Sequence, residues 1–207
     1  AYFSIKKKLT SLHQHNEKEK TKFILETIKD GGSVAYVSDA GTPAISDPGA
    51  FLVNQAHLGN LHIVPIPGPS ALTTAFSAAG ISSNQFQFIG FLPSSQSKCK
   101  LTLKDIFNMN ITTIFYESPR RVIKTLTAIV DIFGPEQEVV IGRELTKLFE
   151  TIYKDKAILL LNRISQNPND QKGEFVIILS RTEKKPLIHS DISDEHLLKV
   201  LLSELPL

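Results

Sequence analysis

The residues of this chain best suited to hold a ligand form a run of small side chains at positions 37–49, Val-Ser-Asp-Ala-Gly-Thr-Pro-Ala-Ile-Ser-Asp-Pro-Gly. The run follows an apolar segment, 34–37, which is typical of a strand buried on both faces. It leads into Asp47-Pro48, a usual start of a helix. Open α/β sheets bind ligands at such turns, although an ordinary Gly/Pro turn accounts for the spacing equally well. Glycine and proline let backbone approach a ligand closely, and they stand here at Gly41, Pro43, Pro48 and Gly49.

The elements that must position this run alternate between helix and strand over the first 90 residues. Alternation of this kind predicts right-handed βαβ units and a parallel sheet. The apolar spacing of Phe23, Ile24 and Ile28 predicts an amphipathic helix at Glu17–Lys29. The other predicted elements are strand 34–38, helix 48–58, strand 62–66, a small-residue helix from 68–69 to Gly80, a last strand with Phe86, Phe88 and Ile89, and a hinge at 90–93.

The second half of the chain predicts a mixed sheet, because several of its strands are joined by short links. A polar, lysine-bearing loop at 94–100 precedes them. The predicted strands are 112–116, 139–141, 149–153 and 175–179, and a helix is predicted from 118–119 through Ile132. We therefore expect an α/β protein with domains at 1–90 and 91–183, followed by a linker at 183–186 and a helical tail at 191–207.

Composition excludes several classes of protein. The chain has 207 residues, of which 42% are hydrophobic, and no apolar run reaches the length of a membrane span. Its single cysteine, Cys99, excludes an internal disulfide framework and suits a reducing cytoplasm. Cys99 lies between two lysines, so a reactive thiol is one interpretation and an incidental loop cysteine the favoured one. Six scattered histidines and one cysteine offer no metal-ligand cluster, and no Gly-x-Gly-x-x-Gly motif occurs.

Charge is distributed unevenly along the chain, although the net charge is only +2. Residues 1–90 contain no arginine, and all five arginines fall between positions 120 and 181. Because arginine binds phosphate bidentately and stacks on bases, a nucleic-acid-binding surface in the second half is one interpretation; chance placement is the other.

Seven motifs, in the order in which they occur, resemble the ribosomal RNA small subunit methyltransferase I family of the tetrapyrrole methylase superfamily. The resemblance spans residues 13–180. The motifs are His15-Asn16-Glu17, the run from Ser38 to Gly49, Pro67-Gly68-Pro69-Ser70-Ala71, Gly90-Phe91-Leu92-Pro93, Phe115-Tyr116-Glu117-Ser118-Pro119, Arg143-Glu144-Leu145-Thr146-Lys147 and Lys172-Gly173-Glu174-Phe175.

The resemblance implies a two-domain α/β methyltransferase that binds S-adenosylmethionine (SAM) in the cleft between its domains; we expect no metal, because the histidines and the cysteine offer no ligand cluster. It further implies a cytoplasmic homodimer that methylates the ribose 2′-oxygen of a cytidine in 16S ribosomal RNA of the 30S subunit. Cofactor binding is thereby expected of Gly41, Thr42, Pro43, Ile45, Ser70, Ala71, Tyr116, Gly173 and Glu174. The alternatives that remain open are a solvent-facing hydroxyl for Ser70 and a plain core ring for Tyr116.

Methyl transfer from SAM requires that the acceptor oxygen be aligned with the methyl group and lose its proton. Glu117, Glu144 and Lys147 directly follow predicted strands and are the candidate proton acceptors. The alternative for the two glutamates is simple pairing with Arg120 and Arg143. The candidates for RNA phosphate binding are Arg120, Arg121 and Arg143, with solvated helix charge as their alternative.

Two departures from the family pattern concern the ends of the sequence. The glycine-containing first turn and the lysine- and alanine-rich end that the family has are not found here, so we expect the sequence to be a fragment. The alternatives to an rRNA methyltransferase are a methylase of a tetrapyrrole or of a modified protein histidine, and a non-catalytic ribosome-binding module.

Overall fold

Five strands form one mixed sheet in the computed structural model, which describes residues 6, 7 and 9–181. The strand order across the sheet is β1-β2-β5-β3-β4. Strands β1 and β2 are parallel, and the other three neighbouring pairs are antiparallel. The mixed sheet predicted for the second half is thus confirmed. The strands are β1 (Phe86–Phe91), β2 (Thr112–Glu117), β3 (Glu138–Arg143), β4 (Thr151–Lys156) and β5 (Phe175–Leu179).

Helices cover both faces of this sheet, as the apolar side chains on both faces of its central strands require. Strand β5 is buried along its whole length. Helices α4 (Gln96–Met109), α5 (Val122–Phe133) and α6 (Ala157–Gln166) pack on one face. Helix α3 (Ala71–Ala78) packs on the other face through Ala75 and the neighbouring Ala79, whose small side chains allow close approach.

The remaining helices of the first half, α1 (Glu17–Lys29) and α2 (Ala50–Leu58), pack against each other. The predicted bounds of α1 are confirmed, and of its expected stripe Ile24 is buried while Phe23 is exposed. Asn16 precedes the helix and accepts a 2.8 Å hydrogen bond from the backbone of His13. Helix α3 is tied to the sheet beyond its last turn, where the Lys154 ammonium donates to the Gly80 carbonyl at 3.1 Å.

The predicted strands 34–38 and 62–66 are wrong for the described part of the chain, where neither segment pairs with another strand. A strand is stable only when its backbone groups join a ladder, and apolar side chains alone do not supply one. Val37 and Ile66 are accordingly 74% and 81% exposed. The parallel pairing expected in the first half occurs instead between β1 and β2.

Strand β1 also differs from its prediction, because it forms the edge of the second-half sheet and does not close the first half. The expected hinge begins inside it: Gly90 has φ +66°, and the register with β2 shifts between Phe88 and Phe91. The polar loop predicted at 94–100 is the start of α4, which buries Cys99, Leu103 and Ile106 at helical spacing. The predicted linker at 183–186 and the tail at 191–207 lie outside the described residues.

Candidate active site

A cleft of about 570 Å³ opens between the loops of the first half and one edge of the sheet. One wall is the small-residue run with Tyr36, and the start of α3 contributes Ala71. The opposite wall comes from the ends of β1 and β2 and from two segments beside β3 and β5. The principal lining residues there are Phe91, Tyr116–Pro119, Leu145–Lys147 and Glu174–Val176.

The small-residue run is closed by two hydrogen bonds at its end. The Tyr36 hydroxyl donates to the Pro48 carbonyl at 2.5 Å, and the Gly49 N–H donates to the Glu17 carboxylate at 2.8 Å. Gly49 has φ +121°, and a Cβ there would collide with the Tyr36 ring, so only glycine fits. Burial, followed by the charges of Asp47 and Glu17, raises the pKa of Tyr36, which keeps its hydroxyl protonated as a donor.

Two residues of the run hold left-handed backbone conformations that side chains disfavour. Ala44 has φ +65° and Ser46 has φ +59°. Such conformations cost on the order of 1 kcal/mol each and persist only where the surroundings impose them. The run is therefore a specifically shaped loop, and not a flexible turn.

The run is also joined to the helix beside it. The Thr42 hydroxyl donates to the Pro69 carbonyl at 3.1 Å, just before α3 begins. On the far side, the Tyr116 phenol is hydrogen-bonded by the backbone of Leu72 in the first turn of α3. The Tyr116 ring lies 4.9 Å from the Phe88 ring between centroids. Tyr116 thus lies in the cleft wall while its ring edge packs on an aromatic neighbour, so both of its predicted environments apply.

Free carboxylates give the cleft an acidic lining. Asp39 and Asp47 line it, and within the described residues neither has an ion-pair partner. Burial, then the charges of Asp39 and Glu174, raises the pKa of Asp47. Burial also raises the pKa of Tyr116, against the Leu72 hydrogen bond, and the charges of Asp47 and Glu174 add to this. Because the carboxylates of Asp39, Asp47 and Glu174 raise the pKa values of groups in the same cleft, they make the electrostatic potential there negative, which favours a cationic ligand.

The loop after β3 carries an ion pair that spans to β5. The Lys147 ammonium lies 3.2 Å from the Glu144 carboxylate and 3.0 Å from that of Glu174. Glu144 also accepts the Glu174 backbone N–H at 2.8 Å, and it has φ +50°. A Cβ on Gly173 would meet the Glu144 carboxyl group, so glycine is required there. Like the small-residue run, this loop is strained, since Thr146 has φ +67°.

These contacts set the protonation states of the pair. The hydrogen bond from the Glu174 backbone lowers the pKa of Glu144, burial opposes it, and Lys147 adds to the lowering. Burial lowers the pKa of Lys147, but hydrogen bonds and charge from Glu174 and Glu144 outweigh it and raise the pKa. At neutral pH the residues are therefore a carboxylate and an ammonium ion. Glu144 pairs with Lys147 and not with Arg143, the partner that the alternative interpretation named.

Glu117 reaches the cleft only at its backbone edge, because its side chain is 1% exposed. Its carboxylate accepts hydrogen bonds from Arg121 at 2.8 Å, from the Ser118 N–H at 2.6 Å and from the Thr125 hydroxyl at 2.7 Å. Arg121 donates in addition to the Leu92 carbonyl at 3.0 Å. Glu117 pairs with Arg121, whereas the alternative interpretation named Arg120.

The three arginines predicted to bind RNA have different surroundings, and none lines the cleft. Arg121 is committed to Glu117. Arg143 donates to the carbonyls of Lys172 at 2.7 Å and Asn169 at 2.9 Å and so holds the loop before β5. Arg120 is exposed, and no ion pair or hydrogen bond engages it in the described part of the chain.

The cleft brings together most of the residues proposed for cofactor binding. Pro43, Ser70 and Gly173 flank it without lining it, and Ser70 makes no side-chain cap hydrogen bond. Asp39 and Asp47 also line the cleft and were not predicted as site residues, because the sequence pattern of the run indicates a helix start at Asp47 and gives no role to Asp39. The proposed cofactor residues that line the cleft are Gly41, Thr42, Ile45, Ala71, Tyr116 and Glu174, together with Glu117 and Lys147 of the proposed catalytic group.

Among the described residues, no group of three or more His, Cys, Asp or Glu side chains has a metal-binding arrangement. Among the helices of the same residues, none has the length and apolarity to cross a membrane.

Comparison with known proteins assigns this arrangement to one family. The family model described as Tetrapyrrole (Corrin/Porphyrin) Methylases matches residues 1–158. A curated relative from Vibrio cholerae, named Ribosomal RNA small subunit methyltransferase I, is 43% identical over all of this chain and 72% of its own length. Relatives of the same name from Haemophilus influenzae and Pseudomonas aeruginosa are 41% and 40% identical, again over all of this chain, and over 74% and 73% of their own lengths.

Solved structures share the fold at low sequence identity. The methyltransferase CobJ is 18% identical with a TM-score of 0.59, covering 80% of this chain and 72% of its own. A diphthine synthase is 13% identical with a TM-score of 0.62, covering 85% of this chain and 70% of its own. The α/β fold class predicted from the sequence is thereby confirmed.

Proposed function

Because the chain belongs to the tetrapyrrole (corrin/porphyrin) methylase family and to its ribosomal RNA small subunit methyltransferase I branch, we propose that it methylates the ribose 2′-oxygen of a cytidine in 16S ribosomal RNA. It is a methyltransferase, and relatives of that name align over its whole length. The observation that carries the assignment to this site is the acidic cleft between two strained loops, both of which belong to motifs of the family.

The cleft suits SAM in size, charge and backbone shape. SAM supplies a methyl group on a sulfonium, which is already a good leaving group. The carboxylates of Asp39 and Asp47, which have no ion-pair partner among the described residues, complement its positive charge. The residues proposed to hold it are Gly41, Thr42 and Ile45 in the run, Ala71 at the start of α3, Tyr116 and Glu174 in the opposite wall, and Pro43, Ser70 and Gly173 as flanking supports.

The hydroxyl proton of the acceptor must pass to a base. Among the three candidates, Glu117 has its carboxylate filled by internal donors, Glu144 has a lowered pKa, and Lys147 is held as an ammonium ion. Lys147 and Glu144 therefore serve better as orienting groups than as bases. Asp47 has a raised pKa, lines the cleft and lacks an ion-pair partner in the described residues, and we add it to the candidates as the favoured acceptor.

The proposed partner is the small ribosomal subunit in the cytoplasm, and the proposed assembly is a homodimer. Both come from the family resemblance. A particle substrate agrees with the modest net charge of +2, because a folded particle can be gripped by shape as well as by charge. The mass of the protein in solution at micromolar concentration tests the dimer, and a monomer mass would contradict it.

The activity is tested with the full-length protein, methyl-labelled SAM and small subunits purified from cells that lack the enzyme. We expect label in 2′-O-methylcytidine after digestion to nucleosides, and less label with free 16S RNA. Label in a ribosomal protein or in an added tetrapyrrole would move the function within the family. Binding of the particle without SAM binding or methyl transfer would make the protein a non-catalytic ribosome-binding module.

A further inference from the structure

We propose that Lys98, Arg120 and Lys124 form a phosphate-binding surface beside the cleft, which holds the RNA strand that carries the methyl acceptor. This basic surface rests on the proposed function for the identity of its ligand. Its residues take over the phosphate-binding role that was predicted for Arg121 and Arg143, because the guanidinium groups of those two arginines are occupied within the protein.

Topology places the three residues at the end of the sheet where β1 and β2 terminate. Strands β1 and β2 are parallel neighbours, so the turns that follow them leave the sheet at the same end. The 3.0 Å hydrogen bond from Arg121 to the Leu92 carbonyl joins these two turns directly. Lys98 lies in the first turn of α4, and Arg120 lies just before α5.

The two helices continue side by side from that end. They pack against each other, and near their far ends the rings of Phe107 and Phe133 lie 5.4 Å apart. Contacts at both ends show that α4 and α5 run in the same direction. Lys124, in the first turn of α5, therefore belongs to the same end of the pair as Lys98.

All three cations are exposed, and within residues 6, 7 and 9–181 none of them has an ion-pair partner. Neighbouring cations differ in this respect. Lys100, two residues from Lys98, pairs with Asp131 at 3.4 Å. The first turns of α4 and α5 contain no acidic residue that could neutralise the surface.

The surface is continuous with the cleft, because Ser118 and Pro119 line the cleft and Arg120 comes next in the chain. RNA fits such a surface, since a strand whose ribose enters the cleft must carry its adjacent phosphates across the rim. Contacts to phosphate fix the register of a strand without reading its bases, so this surface positions the strand and does not select the nucleotide.

The test compares two triple variants of the full chain. One is Lys98→Gln, Arg120→Gln and Lys124→Gln. The control variant removes the same number and kind of charges elsewhere. It carries Lys22→Gln and Lys29→Gln on α1 and Arg181→Gln. The backbone N–H of Arg181 is hydrogen-bonded to Thr112 at the start of β2, which is the end of that strand away from the cleft. The probe is the purified small ribosomal subunit, with its Kd measured at several salt concentrations. Melting temperatures confirm that both variants fold.

We expect the first variant to raise the Kd about tenfold or more and to reduce the salt slope by about 2–3, one for each lost phosphate contact. The control variant and the SAM affinity of both should stay close to wild type. Arg120→Lys should retain most of the binding, because it keeps the charge.

The outcomes separate this inference from the proposed function. If wild-type protein methylates the particle and the first variant matches the control, the basic surface is wrong and the function stands. If wild type binds the particle through these residues without methylating it, the function is wrong and the surface stands. If the first variant loses affinity for an acidic protein and keeps its affinity for RNA, the surface is a protein-binding site and the proposal that it binds RNA is wrong. That proposal is also wrong if wild type neither binds nor methylates the particle.

Discussion

Arg121 forms an ion pair with the Glu117 carboxylate through two of its nitrogen atoms, with Nε and Nη2 each 2.8 Å from Oε1. The Glu117 side chain is buried and the Arg121 side chain is about three-quarters buried, so the pair lies largely out of water. A pair of this kind is costly to break, because removal of one charge leaves the other unpaired.

Replacement of Glu117 by glutamine should therefore destabilise the protein. We expect the free energy of unfolding to fall by about 2–4 kcal/mol, since Arg121 loses its counter-ion. Chemical denaturation measures this, and Glu19→Gln, which removes an exposed carboxylate on α1, is the control with little effect. A large loss of single-turnover methylation at unchanged stability would instead assign Glu117 to the chemistry.

Replacement of Gly41 by alanine tests the position of the cofactor. Its φ is +72° and nothing lies within 4 Å of an added Cβ, so the methyl group enters the open cleft. Gly31→Ala is a matched control, because its φ is +88° and its Cβ also meets nothing, but it follows α1 away from the cleft. Both should lose about 1 kcal/mol of stability or more. By calorimetric titration, SAM affinity should fall only for Gly41→Ala, and equal affinities would contradict this location.

We expect low pH to weaken the contacts that the Glu144 carboxylate makes in the loop after β3. The folded state lowers the pKa of Glu144 below its ordinary 4.5, so the stabilisation is full above that value and is lost as pH falls through the lowered pKa. We expect Glu144→Gln to lower the melting temperature at pH 7 and to differ less from wild type at pH 3. A difference that does not depend on pH would show that the carboxylate charge contributes nothing.

Replacement of Asp47 by asparagine should slow methyl transfer in protein saturated with SAM, while SAM affinity falls no further than it does for Asp39→Asn and particle binding persists. A lost general base lowers the single-turnover rate by about 10²-fold. Because the pKa of Asp47 is raised above 3.8, the wild-type rate should rise with pH through that raised pKa and then level off. Asp39→Asn is the control for loss of cleft charge. If Glu144→Gln or Lys147→Met gave the rate loss instead, the base would be that residue; if none did, water would take the proton.

The sequence predicted elements well wherever local pattern decides the structure. Helix α1 and strand β5 were predicted with their observed bounds, because an amphipathic period and a continuous apolar run are local signals. Segments 34–38 and 62–66 are also rich in apolar residues but have no ladder partner among the described residues. Whether such a segment becomes a strand depends on what lies beside it, which a single-sequence pattern does not reveal.

The site could be predicted to the level of motifs but not of contacts. The family motifs indicated which loops meet, and six of the nine proposed cofactor residues line the cleft in the described part of the chain. Motifs do not show which polar groups are already satisfied. Arg121 and Arg120 are adjacent in sequence, yet one is bound inside the protein and the other is exposed.

Helix α3 is anchored at both ends by side chains of the sheet, and this limits how the cleft can deform. Tyr116 meets the backbone of its first turn, and Lys154 holds the Gly80 carbonyl just past its last turn. Helix α3 has eight residues and is about 12 Å long, so it is too short to bend appreciably between these two anchored ends. The part of the cleft wall that α3 forms is thereby held in place against the sheet, and the small-residue run is joined to it through the hydrogen bond from the Thr42 hydroxyl to the Pro69 carbonyl. We therefore expect a substitution at Lys154 to remove the contact beyond the last turn of α3 and to weaken ligand binding, although Lys154 does not line the cleft.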